Sequence, residues 1–140
     1  MSQFGLERFT SAQDAIYGRV LAELRSGRKR THWMWFIFPQ LEGLGQSATA
    51  MHYAIKSIAE ARAYLDHAVL GPRLRECAEA VLAVESQTAS EIFQYPDDLK
   101  LRSSMTLFAA VAEPGSVFLR VLDKYFAGKQ DEKTLQLLKH

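Results

Sequence analysis

A chain of 140 residues is about one domain long, because single hydrophobic cores cluster near ~100–150 residues. Its 48% hydrophobic and 24% charged content, with only 8 Gly and 4 Pro, excludes disordered, collagen-like and coiled-coil classes. Seventeen basic against sixteen acidic residues leave a net charge of +1, so no global field points to nucleic acid or an anionic membrane, and any electrostatic logic is local.

Phe9, Ala12, Ile16, Val20 and Leu24 recur every three or four positions, the helical period, and predict a first helix over about 10–26. Gly27 follows at the place of a left-handed cap. The apolar run 33–38 is compatible with a buried strand or a buried helix; no partner strand is visible, so a helix is expected. Two glycines, Gly43 and Gly45, precede a short helix through Met51, Tyr53 and Ile55, a layout that can bare backbone N–H groups to an anion. Ile58, Ala61, Tyr64 and Leu65 predict a helix over 58–67, with Ser57 and Glu60 spaced as a capping box. Gly71-Pro72 punctuates, and Leu74, Cys77, Ala78, Val81 and Leu82 continue as a helix to about 86.

Thr88 or Ser90 can cap a short turn holding Ile92 and Phe93. Asp97 and Asp98 then suit the start of a helix carrying Leu101, Met105 and Phe108. Phe118, Leu119, Leu122 and Phe126 mark the next helix, closed by Gly128, and Asp131 caps a last one with Leu135 and Leu138. Strand alternation and hairpin turns are nearly absent. The expectation is an all-α, compact, single-domain bundle of about six to eight helices spanning 1–140.

A single cysteine, Cys77, rules out an internal disulfide and favours a reducing compartment. The longest apolar runs are six residues, far below the roughly 20 of a spanning helix, and no charged-then-apolar leader opens the chain. A soluble, cytoplasmic protein without membrane contact is expected. His32, His52, His67 and His140 have no zinc spacing, and P-loop, GxGxxG and GxSxG signatures are missing. No metal and no cofactor are expected.

Two segments are chemically unusual. In residues 27–40, Arg28, Lys29, Arg30 and His32 run into Trp33, Trp35, Phe36 and Phe38. Cations hold phosphate while a tryptophan stacks on a planar base; the plainer alternative is that the aromatics are core and the cations a solvated corner. In residues 95–108, Lys100, Ser103, Ser104 and Leu107 share one helix face if the segment is helical. Lysine beside serine suits nucleophile activation, whereas serine and threonine also bond back to helix carbonyls or permit close packing.

The strings GRKRTHWMWFIFPQLEGLG, YAI at 53–55, AYLDHAVLGPRL and PDDLKLRSSMTLFA resemble the bacterial family catalogued as domain of unknown function 1810. The resemblance runs from LERF at 6–9 through VLDK at 121–124 to the terminal TLQLL. It implies an all-α single domain with no established activity or functional residues. The label calpastatin-like, sometimes attached to the family, has no physical support in these residues. Thr31 stands where the family commonly has serine, and Gln94 where glycine often precedes the tyrosine. A looser analogy runs to small helical domains that process ADP-ribose or related nucleotide conjugates, and fold-level analogy does not carry function.

The leading expectation is therefore a domain that binds, or binds and processes, a small anionic ligand of nucleotide or ADP-ribose type, in a cleft between residues 27–40 and 97–108. Arg28, Lys29 and Arg102 would hold phosphate and Trp33 or Trp35 would stack. Gln40, Ser103, Ser104 and Thr106 would hydrogen-bond, and His32 or Lys100 would move a proton. The alternative is a non-enzymatic interaction module or homodimer anchored by the 33–38 aromatics. Nucleic acid is the least favoured partner, since the basic run is small.

Overall fold

The computed structural model describes residues 4–139, so His140 lies outside the described residues. Within them the chain is all helical, with ten helices and a single isolated parallel bridge, Leu41 to Ile55. The count exceeds the expected six to eight for two reasons. The first expected helix is divided by a tight turn at Ala15 and Ile16 into α1 (Glu7–Asp14) and α2 (Tyr17–Arg25), and the short turn expected around Ile92 and Phe93 is a helix in its own right.

The division of the first helix is tertiary in origin. On one side of the turn the Gln13 amide donates to the Phe36 carbonyl at 2.7 Å and to the Tyr64 hydroxyl at 3.1 Å. On the other, the Tyr17 hydroxyl donates to Glu76 and lies 3.3 Å from the Arg73 carbonyl. Distant partners thus hold both sides of the turn, Arg73 among them on each side, outweighing the continuous apolar stripe.

The three short helices are α3 (Met34–Ile37), α4 (Ala48–His52) and α7 (Ala89–Phe93). Between them lie α5 (Ile58–Asp66) and α6 (Leu70–Ala83), followed by α8 (Asp97–Ala109), α9 (Val117–Phe126) and α10 (Glu132–Leu138). Helix α8 is the centre of the bundle, packed by α5, α7, α9 and α10. Its residues Leu101 and Ser103 to Phe108 are all buried, so it has no single polar face. The Ser103 hydroxyl donates to the Leu99 carbonyl (3.2 Å) and that of Thr106 to the Arg102 carbonyl (2.8 Å), the back-bonding by which small hydroxyl residues sit inside a packed helix.

Several caps follow the expected chemistry. Thr88 and Glu91 form a complete capping box, each side chain bonded to the other's backbone amide, and Asp131 accepts from the Thr134 amide at 2.9 Å. Ser57 caps α5, but Glu60 bonds the Lys56 amide and the Arg8 guanidinium instead of closing the box. Helix α6 begins at Leu70, one residue before Gly71, which is required there. A Cβ on it would lie 2.0 Å from the Leu65 carbonyl oxygen.

The core is continuous and includes Trp33, Phe38, Tyr64, Phe108 and Phe118, each completely buried, at about 1.5–3 kcal/mol of transfer free energy per large apolar side chain. Cys77 lies in it, and burial pushes its thiol up to about 12, which removes it from thiolate chemistry at neutral pH. No helix among the described residues is long and apolar enough to cross a membrane.

Candidate functional site

The basic segment 28–33 is shaped by one buried carboxylate. Glu23, on the last turns of α2, accepts hydrogen bonds from the Arg30 amide (2.7 Å), the Thr31 amide (3.1 Å), the Thr31 hydroxyl (2.7 Å) and the Trp33 indole (2.9 Å). Burial alone would raise its pKa; the four donors outweigh it and hold the carboxyl down at about 2, since hydrogen bonds to the charged form favour that form. Gly27, at φ +76°, makes the left-handed turn that sends the chain back over Glu23. As the segment wraps, Arg28, Arg30 and His32 are turned outward and exposed, while Lys29 and Trp33 are turned in.

Lys29 meets α8. Its amine lies 2.9 Å from Asp97 Oδ2 and 5.1 Å from the centre of the Trp33 ring, with the side chain only 8% exposed. Lys100, one turn along α8, reaches the other oxygen of Asp97 at 3.3 Å. Two lysines thus share one carboxylate and leave a local excess of one positive charge. The Lys100 amine also stands 4.9 Å from the centre of the Trp35 ring. Helix α3 presents that ring: Met34 and Ile37 are buried, and Trp35 and Phe36 half-buried.

Beside this pair opens a cleft of about 390 Å³ between residues 35–47 and the start of α8. Trp35, Gln40, Lys100 and Ser103 line it, together with the 44–47 loop, Pro96, Leu99 and Asp131. The Asp131 carboxylate is already engaged, capping α10 and lying 4.0 Å from Arg102. A second, more open hollow of about 460 Å³ lies on the other side of Trp35 and is lined by His32, Phe36, His52 and Tyr53 among others.

Of the expected site residues, the structure brings four together in the cleft: Trp35, Gln40, Lys100 and Ser103. The others are placed elsewhere. Trp33 is fully buried against Phe38 and Phe93, with its indole N–H spent on Glu23, so it cannot stack on a ligand. Ser104 is completely buried and its hydroxyl has no hydrogen-bond partner. Thr106 is buried, donating to Arg102 and accepting from the Asp131 amide. Arg102 faces a separate depression with Lys129 and Lys133. Arg28 is exposed and lines neither the cleft nor the hollow.

Lys29 stands behind the cleft rather than in it, consumed by Asp97. His32 lines the second hollow, not the cleft. Ser103 bonds the Leu99 carbonyl and not Lys100, so no serine–lysine nucleophile pair is assembled. The aromatic run 33–38 is mainly core, since Trp33, Met34, Ile37 and Phe38 are all buried; this removes most of the anchors that a protein-interaction surface there would use.

Glu23 and Asp97 were not singled out as site residues from the sequence. Glu23 falls beside the apolar stripe and reads as a solvated helix residue; its one signal is its place on the helix that leads directly into three cations. Asp97 reads as a helix-start carboxylate, which it also is. No cluster of three metal-ligating side chains exists among the described residues.

Fold and site together define a small all-helical domain with a cation-flanked cleft at the start of its central helix. The chain belongs to the family described as protein of unknown function (DUF1810), whose profile it matches over residues 3–138. It is similar to the conserved hypothetical protein Rv1873 from Mycobacterium tuberculosis, known from a crystal structure, with 52% sequence identity, 99% of each chain covered and a TM-score of 0.97. A search of curated proteins returned no match.

Proposed function

We propose that this domain binds a small anionic ligand of nucleotide or ADP-ribose type in the cleft between residues 35–47 and the start of α8. The observation that carries the reading is the Lys29–Asp97–Lys100 cluster, whose unbalanced positive charge stands at the edge of a cleft also furnished with Trp35, Gln40 and Ser103. Lys100 can exchange its contact with Asp97 for a ligand anion because Lys29 remains as the carboxylate's partner. The Gln40 amide and Ser103 hydroxyl supply directional hydrogen bonds, and the Trp35 ring supplies a planar apolar wall. Lys100 is thus assigned to charge recognition. Any processing step would need a proton carrier, and with Lys100 assigned to charge the other expected one, His32, lines the second hollow with Trp35.

The test is a thermal-shift screen of the purified protein against nucleotides, ADP-ribose, sugar phosphates and inorganic phosphate, repeated with Lys100→Ala and Trp35→Ala. A ligand at a hundred times its Kd adds about 2.7 kcal/mol, a shift of several degrees in a domain of this size. The shift is expected to vanish in Lys100→Ala. Persistence in both variants would move the site away from the cleft, and a flat screen would reject the small-anion reading.

A further inference from the structure

We infer that the ligand of the cleft extends across Trp35 into the second hollow, which makes its class an anion joined to a planar ring rather than a bare anion; this rests on the cleft being the binding site. The chemistry of the two concavities is segregated. The cleft carries an ammonium group, an amide and a hydroxyl from Lys100, Gln40 and Ser103, and its one lining carboxylate, Asp131, is engaged at the α10 cap and beside Arg102. The hollow carries rings: Trp35, Phe36 and Tyr53, with the imidazoles of His32 and His52 and no carboxylate among its lining residues. Its rings pack on one another as a contiguous aromatic wall. Phe36 and Tyr53 lie 5.3 Å apart, and His52 stands edge-on to Tyr53 at 4.6 Å. Stacking on such rings is tolerant of ring identity, while imidazole and the Thr49 hydroxyl can bond the heteroatoms at a ring edge.

Trp35 is the wall common to both concavities. A small space of about 10 Å³ shares Trp35, Gln40, Gly45 and Ala50 with the cleft and Trp35 and Tyr53 with the hollow. Helix α4 forms its outer side, and none of its five residues is buried. The loop that carries α4 is closed at its base, where the Glu42 amide donates to the Ile55 carbonyl (2.8 Å) and the Ile55 amide to that of Gln40 (2.9 Å). Arg8 adds bonds to the His52 and Ala54 carbonyls. The helix at the tip has no buried residue to lose if the loop shifts outward, a movement that gives up the Arg8–His52 bond. Each concavity alone lies near the small end of the ~300–1,000 Å³ typical of ligand sites, and the two joined reach its upper half.

Isothermal titration with inorganic pyrophosphate, adenosine and ADP separates the parts, using the wild type, His52→Ala and Lys100→Ala. His52 is exposed, so its truncation leaves the fold intact. ADP is expected to bind at least tenfold more tightly than pyrophosphate. His52→Ala should weaken ADP fivefold or more and leave pyrophosphate unchanged, whereas Lys100→Ala weakens both. ADP no tighter than pyrophosphate, or unaffected by His52→Ala, overturns the two-part site; the cleft reading still stands in that case if Lys100→Ala weakens pyrophosphate. Absence of binding by all three probes overturns both.

Discussion

Glu23 and Asp97 are carboxylates held against the same basic segment, and their surroundings suit them to different work. Glu23 is 7% exposed and its four donors are two backbone amides, a hydroxyl and an indole. None of these can leave without uncovering a buried charge, so the group functions as a peg around which residues 28–33 are wound. Asp97 is 20% exposed and its partners are two flexible ammonium groups. One of them, Lys29, is buried and fixed; the other, Lys100, reaches the cleft. A carboxylate satisfied by fixed donors fixes structure. A carboxylate shared by two cations leaves one of them available to a third party.

The comparison is broken most severely at Glu23. Glu23→Gln keeps the shape but replaces the carboxylate with a weaker acceptor and turns an amide NH2, itself a donor, toward groups that donate to Glu23, with an expected loss of about 3 kcal/mol in urea unfolding. The pH dependence carries the same signature. The folded pKa of about 2 lies below the usual 4.5, so the unfolded chain takes up the proton first as pH falls. The stabilisation is therefore complete above about pH 4.5 and is lost as pH drops toward 2, by about 3 kcal/mol in total. Unfolding at pH 6 and pH 3 should show this slope in the wild type and a flattened one in Glu23→Gln.

Asp97→Asn is the next largest. It leaves Lys29 almost buried without a counter-charge, a loss of about 2 kcal/mol, less than the ~3–5 kcal/mol of a fully buried pair. The Trp33 ring face and the partial exposure of the site absorb part of the penalty. An Asp97→Asn variant as stable as the wild type by denaturant midpoint would end the distinction between a fixed and an available lysine.

Much of the fold was legible because it is local. The Thr88–Glu91 box, the Asp131 cap and the Gly27 turn each follow from side chains within a few residues of the backbone they serve. The site was only half legible. Trp33 and Trp35 sit in a single helical turn too short for periodicity to say which is buried, and the answer comes from Glu23, which claims the Trp33 indole. Helix α8 misled in another way: as the central helix it buries hydroxyl residues on several sides, so a pattern suited to a polar face marks close packing instead. The pairing of Lys29 with Asp97 depends on how α7 and α8 are turned relative to the basic segment, which no local signal records.

Lys100→Ala sharpens the comparison from the other side. Its pair with Asp97 is an i,i+3 contact with a quarter of the lysine side chain exposed, so stability should fall by less than about 1 kcal/mol. Binding of an anionic probe should nevertheless weaken tenfold or more. Stability and affinity thereby separate at Lys100, where at Glu23 they fall together.

The smallest effect concerns the joint that brings the two lysines to one carboxylate. Both corners contain a left-handed residue. At the Glu23 corner it is Gly27, where a Cβ would meet the Gln87 side chain at 2.1 Å. At the Asp97 corner it is Gln94, at φ 64° and ψ 154°, a region populated almost only by glycine. Gln94 links α7, whose Ile92 carbonyl receives the Lys29 amide, to α8, whose Asp98 amide bonds the Gln94 carbonyl. Its conformation therefore sets where Asp97 stands relative to Lys29. Gln94→Gly should relieve about 1–2 kcal/mol of strain and return part of it as the entropy of a freer unfolded chain, for a net gain near 0.5–1 kcal/mol. The side chain is exposed and contributes little of its own. A rise of about 2–3 °C in Tm, with the affinity for an anionic probe unchanged, is the expected result. A fall would mean that the glutamine is held there by favourable contacts, and that the Asp97 corner, like the Glu23 corner, is a matter of fit and not of stored strain.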